Sequence, residues 1–385
     1  MNKKLLTLSI SSALSSIGLG LTSTAFAQSS VNLYGVLDGG LRLSSNAGHN
    51  FANNADKSRL AANSGGKDAP RFGIKGYEDL GGGNAAFFNL EGGFNLGTGI
   101  LNSNNDNQSF SSNTSSKSLF GRQAYVGLSN TKLGQVTLGR QFTVAFDTAK
   151  IFEPTNFINQ AQANYDLSGT VDGINGNKRS DASLKYIGTW KNLTLRTAIK
   201  PGNHAGSFSN GNAYAIGMSY KIGNSEFATS YSEINHHSHA EDISKQITTL
   251  GDTSIFNIGG SHKIGNTTFK LGYARSMLPS IDRSAITNIA NSILPSSTEE
   301  VIGLGVQHLL TPKLQLTLAS YAKFNEYGNS TETTAYKFFV GTNYAVSNRT
   351  NLYAFVDHTD TDSGISASNS NRTQTGLTMG VSHSF

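Results

Sequence analysis

The sequence predicts an all-β protein, a closed antiparallel barrel of sixteen strands that spans a membrane. Three observations predict this fold. Segments of about 10 to 13 residues alternate apolar and polar side chains along the chain. Short turns and long polar loops follow these segments alternately, and no segment after the first 27 residues has the roughly 20 consecutive apolar residues of a membrane helix. Strands with lipid on one face and water on the other account for all three.

The first 27 residues have the features of a secretory signal peptide. Lys3 and Lys4 precede an uncharged stretch, and Ala25-Phe26-Ala27 matches the small-x-small pattern of a cleavage site. A transmembrane anchor is the alternative, but this serine-rich stretch is too weakly apolar for one. We expect residues 1–27 to be removed and residues 28–385 to form one barrel domain.

The first predicted strand shows the alternation clearly. Between Val31 and Asp38 the odd positions are Val, Leu, Gly and Leu, whereas the even positions include Asn, Tyr and Asp. The same template predicts sixteen strands, at 31–43, 70–80, 84–96, 119–129, 135–147, 181–190, 193–201, 212–222, 226–236, 254–264, 267–277, 299–310, 314–326, 335–346, 351–360 and 373–385.

The joints between these strands differ in length on the two sides of the barrel. Joints such as 81–83, 191–192 and 265–266 are short and rich in turn-forming residues, whereas 97–118 and 237–253 are long and polar. An even strand number places both chain ends on the short-turn side. Sixteen strands also leave an aqueous interior. A soluble β-sandwich would explain the alternation but not the one-sided loop lengths.

Composition excludes several classes of function. The 385 residues include no cysteine, which excludes disulfide scaffolds, thiol nucleophiles and cysteine-ligated metals. The net charge is +5, or +3 once the two lysines of the signal peptide are subtracted, and no basic stripe marks a nucleic-acid partner.

Other chemistry has little support in the sequence. We expect no metal, because the densest group of possible ligands lies in a polar loop, and its spacing would not fix the ligands on one rigid face. We expect no cofactor, because Gly303-Leu304-Gly305 is only half of a dinucleotide-binding motif and lies inside a predicted strand. The possible ligands are His236, His237, His239, Glu241 and Asp242. No catalytic residue is predicted, because no nucleophile elbow or ordered triad is present, although some outer-membrane barrels are hydrolases.

Three stretches and the last residue resemble a known family. The stretches are SSVNLYGVLDGGL near the mature start, RFGIKGYEDLGGGNAAFFNLEGGF from Arg71, and FGRQAYVGLSNTKLGQVTLGRQF from Phe120. They are similar to the general porins of the Gram-negative outer membrane, most of all to the β-proteobacterial branch. The resemblance implies a homotrimer in the outer membrane, with long extracellular loops and one diffusion pore per subunit, narrowed by an inward-folded third loop.

The resemblance also implies a basic wall at the pore constriction, formed by Arg71, Arg122 and Arg179. Parity along the strands supports part of this assignment. If Phe72 and Ile74 face lipid, then Arg71 and Lys75 face the lumen, and Glu91 points inward by the same argument.

The remaining candidates lie in or near the third loop. Arg140 is placed in the pore although Val136 and Leu138, which share its parity, have the character of lipid-facing residues. The loop is expected to start near Asp147 and to end before Arg179, with Glu153 as the first candidate for its pore-facing acid and Asp147 as the second.

The third loop also departs from the family pattern. Many relatives carry Pro-Glu-Phe-Gly-Gly at its tip, but this chain reads Glu153-Pro154-Thr155-Asn156-Phe157-Ile158. The glutamate of the motif is missing, and with it the basis for a strong transverse field. Basic candidates outnumber acidic ones, so we expect a weakly anion-preferring channel for ions and small hydrophilic solutes.

Alternatives remain open at the level of sequence. One is a substrate-specific channel, and another is an adhesin or receptor barrel that acts through its outer loops. The expected partners are two further copies of the chain, outer-membrane lipid and lipopolysaccharide, and the insertion machinery that, in the family, reads a terminal aromatic residue such as Phe385.

Overall fold

The structure, a computed structural model, describes most of the predicted barrel. The described residues are 29–47, 57–102, 118–169, 178–202, 205, 211–235, 252–277, 296–327, 332–362 and 372–385. The predicted signal peptide and the group of possible metal ligands between 236 and 242 lie outside them. The described residues contain no helix that is long and apolar enough to cross a membrane.

One sheet contains all of the strands. They are β1 Ser30–Ser44, β2 Arg59–Ser64, β3 Arg71–Gly81, β4 Asn84–Phe94, β5 Leu101–Asn102, β6 Gln123–Asn130, β7 Gly134–Phe142, β8 Arg179–Trp190, β9 Leu193–Lys200, β10 Ala213–Ile222, β11 Ser225–Ile234, β12 Thr253–Ile264, β13 Thr267–Met277, β14 Ser296–Thr311, β15 Leu314–Tyr327, β16 Glu332–Ala345, β17 Thr350–Thr361 and β18 Thr373–Ser384. Two short helices, α1 Val144–Ala149 and α2 Asn159–Gln162, lie between β7 and β8.

These strands occupy sixteen positions around a closed barrel. Strand β2 pairs with the second half of β1 and β3 with the first half, so the two share one position. Strands β5 and β6 share a position beside β4 in the same way. Antiparallel pairing of β1 with β18 closes the barrel. The predicted fold is therefore confirmed, with every strand antiparallel to its neighbours.

Both ends of the barrel chain lie on the short-turn side, as expected. The backbone N–H of Phe385 donates to the Gly35 carbonyl at 3.1 Å, and the Gly35 N–H donates back at 3.2 Å. The Phe385 ring covers Gly35, where a side chain would collide with the ring. The last residue is thus part of the closing β1–β18 seam.

The barrel carries its apolar side chains on the outside. Leu33, Leu128 and Leu304 are 66%, 61% and 55% exposed on the outer face. The buried apolar cluster lies inside the barrel, where the segment between β7 and β8 packs against the inner wall. An outer face of this kind is typical of a barrel that spans a membrane.

Two predicted strand boundaries are wrong. The strand predicted over 135–147 ends at Phe142, because the Thr143 side chain accepts a hydrogen bond from the Phe146 N–H at 3.2 Å and so starts α1. The strand predicted over 119–129 begins at Gln123. The loop between β7 and β8 therefore starts before Asp147, in contrast to the prediction.

Candidate functional site

A buried ion pair lies on the inner wall beside β4 and β6. The side-chain alternation of β4 turns Glu91 towards the lumen, and Arg122, just before β6, reaches the same level. Arg122 Nε donates to Glu91 Oε1 at 2.6 Å, and each side chain is 6% exposed. Gly93 leaves room for Arg122, since a Cβ there would lie 3.1 Å from Arg122 Cδ.

Two neighbours on β1 and β3 extend this pair into a cluster. The Tyr34 hydroxyl donates to Glu91 Oε2 at 3.0 Å. Arg71 lies close enough to interact electrostatically with both Glu91 and Arg122, and its Nη2 is 4.0 Å from Asp68 Oδ1. We call Tyr34, Arg71, Glu91 and Arg122 the basic cluster. In it, Glu91 balances only part of the charge of two guanidinium groups.

The described residues between β7 and β8, which are 143–169 and 178 and which we call loop three, fold into the lumen. Its helix α1 carries Asp147, which accepts hydrogen bonds from Lys185 Nζ on β8 and from Lys150 Nζ, both at 2.7 Å. Burial alone would raise the pKa of Asp147, but the two ammonium groups together hold it below its ordinary value of 3.8. A single carboxylate again serves two cations.

Aromatic rings lie beside these charges. The Phe142 and Phe146 rings stack with their centroids 4.5 Å apart, and Phe157 follows at 4.6 Å from Phe146. Lys150 Nζ is 4.4 Å from the centre of the Phe142 ring, and the Arg179 guanidinium is 4.9 Å from the same centre. The rings place these cations without neutralising them.

Loop three packs into a groove that glycine residues form on the opposite inner wall. A Cβ at Gly303 would lie 2.9 Å from Pro154 Cγ, and one at Gly305 would lie 2.6 Å from Pro154 Cβ. The Phe152 ring lies against Gly272 in the same manner. The glycine groove consists of Gly217, Gly259, Gly272, Gly303 and Gly305. These residues have no side chains to keep the loop away from the wall.

Glu153 holds the loop to this wall from a fully buried position. Its carboxylate accepts hydrogen bonds from the Thr155 N–H at 2.9 Å, from the Phe157 N–H and from the Tyr321 hydroxyl on β15. Lys270 Nζ on β13 donates to the Glu153 carbonyl at 3.0 Å. The tip of loop three is therefore bound through both the side chain and the backbone of Glu153.

Beyond the tip, the loop crosses to the remaining wall. The N–H groups of Asn159 and Gln160 donate to the carbonyls of Lys67 and Gly66, each at 3.1 Å. Lys337 Nζ on β16 donates to the Gln160 carbonyl at 2.6 Å. Contacts at both ends and at the tip fix loop three across the lumen, opposite the basic cluster.

Positive charge exceeds negative charge where loop three narrows the lumen. Glu91 interacts electrostatically with Arg71 and Arg122, and Asp147 forms ion pairs with Lys150 and Lys185. The side chain of Lys150 is 44% exposed, whereas that of Asp147 is 14% exposed. The Lys150 ammonium is thus more accessible from the lumen than the Asp147 carboxylate that accompanies it.

Comparison with known protein families identifies this architecture. The model of a family described as Gram-negative porin matches residues 12–364, which is most of the chain. The chain belongs to the Gram-negative porin family. It is a β-barrel protein of the Gram-negative outer membrane, as predicted.

Individual relatives agree with this membership. The porin is 37% identical over 139 residues to an outer membrane porin protein of Bordetella pertussis, a match that covers 33% of this chain and 31% of the relative. An anion-selective porin from Comamonas acidovorans has the same fold, with a TM-score of 0.65 and 19% identity over 93% of this chain and all of the other. The trimer form of OmpT from Vibrio cholerae gives a TM-score of 0.63 and 14% identity, and covers 93% and 99% of the two chains.

The structure brings several of the predicted site residues of the porin together. Arg71, Glu91 and Arg122 form the basic cluster, and Arg179 lies over the Phe142 ring at the end of loop three. Lys75 lies four residues closer to the short turns than Arg71, about 13 Å along the strand. It therefore reaches only the edge of this cluster, where its Nζ lies 5.4 Å from the centre of the Tyr34 ring.

One other prediction for the porin requires correction. Glu153 is not a pore-facing acid, because its carboxylate is fully buried against Thr155 and Tyr321. Asp147, the second candidate for this acid, forms ion pairs with Lys185 and Lys150.

Arg140 has local partners. Its guanidinium forms an ion pair with Asp181 and donates to the Gly121 carbonyl at 2.6 Å, beside an irregularity in the β7–β8 pairing.

Sequence reasoning missed two lysines of the porin. Parity could have found Lys185, since Leu184 and Tyr186 on the same strand are apolar and outward, which turns Lys185 inward. Lys150 had no such signal, because its position depends on helix α1, which the alternation pattern did not predict. The pattern likewise gave no sign that five glycines on four strands form one groove.

Proposed function

We propose that this porin forms a diffusion channel for ions and small hydrophilic solutes, with a weak preference for anions. The observation that carries the proposal is the arrangement of loop three, which narrows the lumen while Glu91 and Asp147 beside it are each accompanied by two cations. The anion selectivity stated for the Comamonas acidovorans protein supports the same direction of preference.

The mechanism is passive. A solute enters the lumen, passes between loop three and the basic cluster, and leaves on the other side, with its size limited by the gap between them. The excess of Arg and Lys lowers the electrostatic free energy of an anion in this gap and raises that of a cation. The residues present orient and screen solutes, and the proposed passage makes and breaks no covalent bond.

We further propose a homotrimer in which the short turns face the periplasm and the long loops face the exterior. The trimer form of OmpT supports this assembly for the fold. Lipid and lipopolysaccharide would cover the apolar outer face, and Phe385 would act as the signal for insertion. In this proposal residues 1–27 direct secretion and are removed.

A planar-bilayer recording in a potassium chloride gradient tests the function. Purified protein should insert as discrete conductance steps, often in groups of three, and the reversal potential should have the sign of chloride preference. Absence of any conductance would contradict the channel and would favour a receptor or adhesin. A reversal potential with the sign of potassium preference would contradict the charge argument alone.

A further inference from the structure

A second feature of the lumen lies between the basic cluster and the short turns. Here the inner faces of β3, β4 and β6 form a recess of about 350 Å³. Tyr77, Phe87 and Tyr125 line it together with Lys75, Asn89 and Gln135. Four of its ten lining residues are aromatic and five are polar or charged, and its size lies in the range of small-molecule sites.

The aromatic rings of this recess are held in place by the barrel wall. The Phe87 ring covers Gly127, where a Cβ would lie 2.6 Å from Phe87 Cζ. Phe87 and Tyr125 meet edge to face, with centroids 6.3 Å apart and planes at 84°. The positions of the Phe87 and Tyr125 rings are therefore fixed before a ligand arrives, which reduces the entropy lost on binding.

Lys75 supplies the positive charge of the recess. Its Nζ lies 5.4 Å from the centre of the Tyr34 ring, and Tyr34 is fixed by the hydrogen bond from its hydroxyl to Asn89 Oδ1 at 2.8 Å. Within the part of the chain that the structure describes, no carboxylate forms an ion pair with Lys75. Its charge is available to an anion, in contrast to Arg122, which Glu91 partly neutralises.

We propose that this recess, with Lys75 beside Tyr77, Phe87 and Tyr125, binds small aromatic carboxylates in the lumen. The carboxylate pairs with Lys75 Nζ while the ring packs against the fixed aromatic side chains. The inference rests on the proposed channel function and adds a solute class to it. Such a site would raise the local concentration of these anions on the short-turn side of the constriction.

Ion-current block by benzoate tests the site. Benzoate, added to channels in potassium chloride, should interrupt the current, and its dissociation constant follows from the concentration dependence of the block. Lys75→Gln should raise this constant about tenfold, since a charged hydrogen bond is lost. Phe87→Leu should raise it about threefold, because an aromatic contact is lost without a change in charge.

Two controls separate the recess from general attraction by the lumen. Arg196→Gln removes one inward charge on β9, five strand positions from Lys75 around the wall, and should change the dissociation constant less than twofold. Cyclohexanecarboxylate has the same charge without an aromatic ring, and it should block less strongly than benzoate.

Equal losses of benzoate affinity in Lys75→Gln and Arg196→Gln would overturn the proposal. Equal block of the current by benzoate and cyclohexanecarboxylate would overturn it as well. Currents in potassium chloride alone show whether the channel itself is present, so failure of the site and failure of the channel are distinguishable.

Discussion

The two sides of the lumen have opposite surfaces. On β10 and β12–β14 the inner wall has glycine where the apolar side chains of loop three pack, and Lys270 and Gln307 on this wall bind the loop backbone. On β1, β3 and β4 the inner wall carries Tyr34, Arg71 and Glu91. One side holds a folded segment, and the other presents fixed charge to solutes. The constriction therefore depends on the glycines of one wall as much as on the charges of the other, because the glycines let loop three approach the wall closely.

Filling the glycine groove should have the largest effect on the current through the channel. In Gly272→Val the new side chain would collide with Phe152 and Leu167, and overpacking of this kind costs about 1–3 kcal/mol. Loop three should leave the wall, so single-channel conductance and current noise should rise and a protease should cut the loop. Adding Phe152→Ala should restore part of the docking. Wild-type conductance and protease resistance in Gly272→Val would show that the groove does not hold the loop.

Removing one partner of the buried pair should have the largest effect on stability. Arg122→Gln leaves the buried Glu91 carboxylate with Arg71 as its remaining cationic neighbour, and we expect a loss of about 3 kcal/mol in the free energy of unfolding. The double variant Glu91→Gln with Arg122→Gln should recover most of this loss. Denaturant unfolding of the refolded barrel measures both, and a double variant less stable than Arg122→Gln would contradict the explanation.

The strands and the docked loop differ in how far the sequence predicts them. Alternation of residues such as Leu33 and Tyr34 is a local signal, and it gave the sixteen barrel positions together with the inward direction of Arg71 and Glu91. The burial of Glu153 depends on Tyr321, which lies 168 residues away along the chain, and no local pattern carries that contact. Glycine in a strand weakens the pattern, so the groove had no positive signal in the sequence.

Loss of the tyrosine hydroxyl at the loop tip should have a smaller effect. Tyr321→Phe removes one hydrogen bond to the Glu153 carboxylate, with an expected cost of about 1.5–3 kcal/mol. Tyr344, which is 45% exposed on the outer face, provides the matched control, and Tyr344→Phe should change stability by less than about 0.5 kcal/mol. Equal unfolding midpoints for the two variants would argue against the tether.

Low pH should release the α1 end of loop three from β8. Of the predicted changes, we expect this one to be the smallest. The folded-state pKa of Asp147 lies below its ordinary value of 3.8, so its contribution is present above pH 3.8 and is lost as the pH falls through the lower folded-state value. Protonation removes the shared carboxylate of Lys150 and Lys185, so anion preference should increase in that window. Asp147→Asn should show the increased preference at pH 7 and no further change on acidification. An acid response that persists in Asp147→Asn would assign it to another group.

The central claim is that excess positive charge opposite and beside loop three sets the direction of selectivity. Reversal potentials at low salt, where screening is weakest, test it most directly. Arg71→Gln with Lys150→Gln removes two positive charges and should move the reversal potential clearly towards the value expected for potassium preference. Glu91→Gln with Arg122→Gln removes a neutral pair and should leave the potential close to that of the wild type. Equal shifts in the two double variants, or no shift in the first, would contradict the claim.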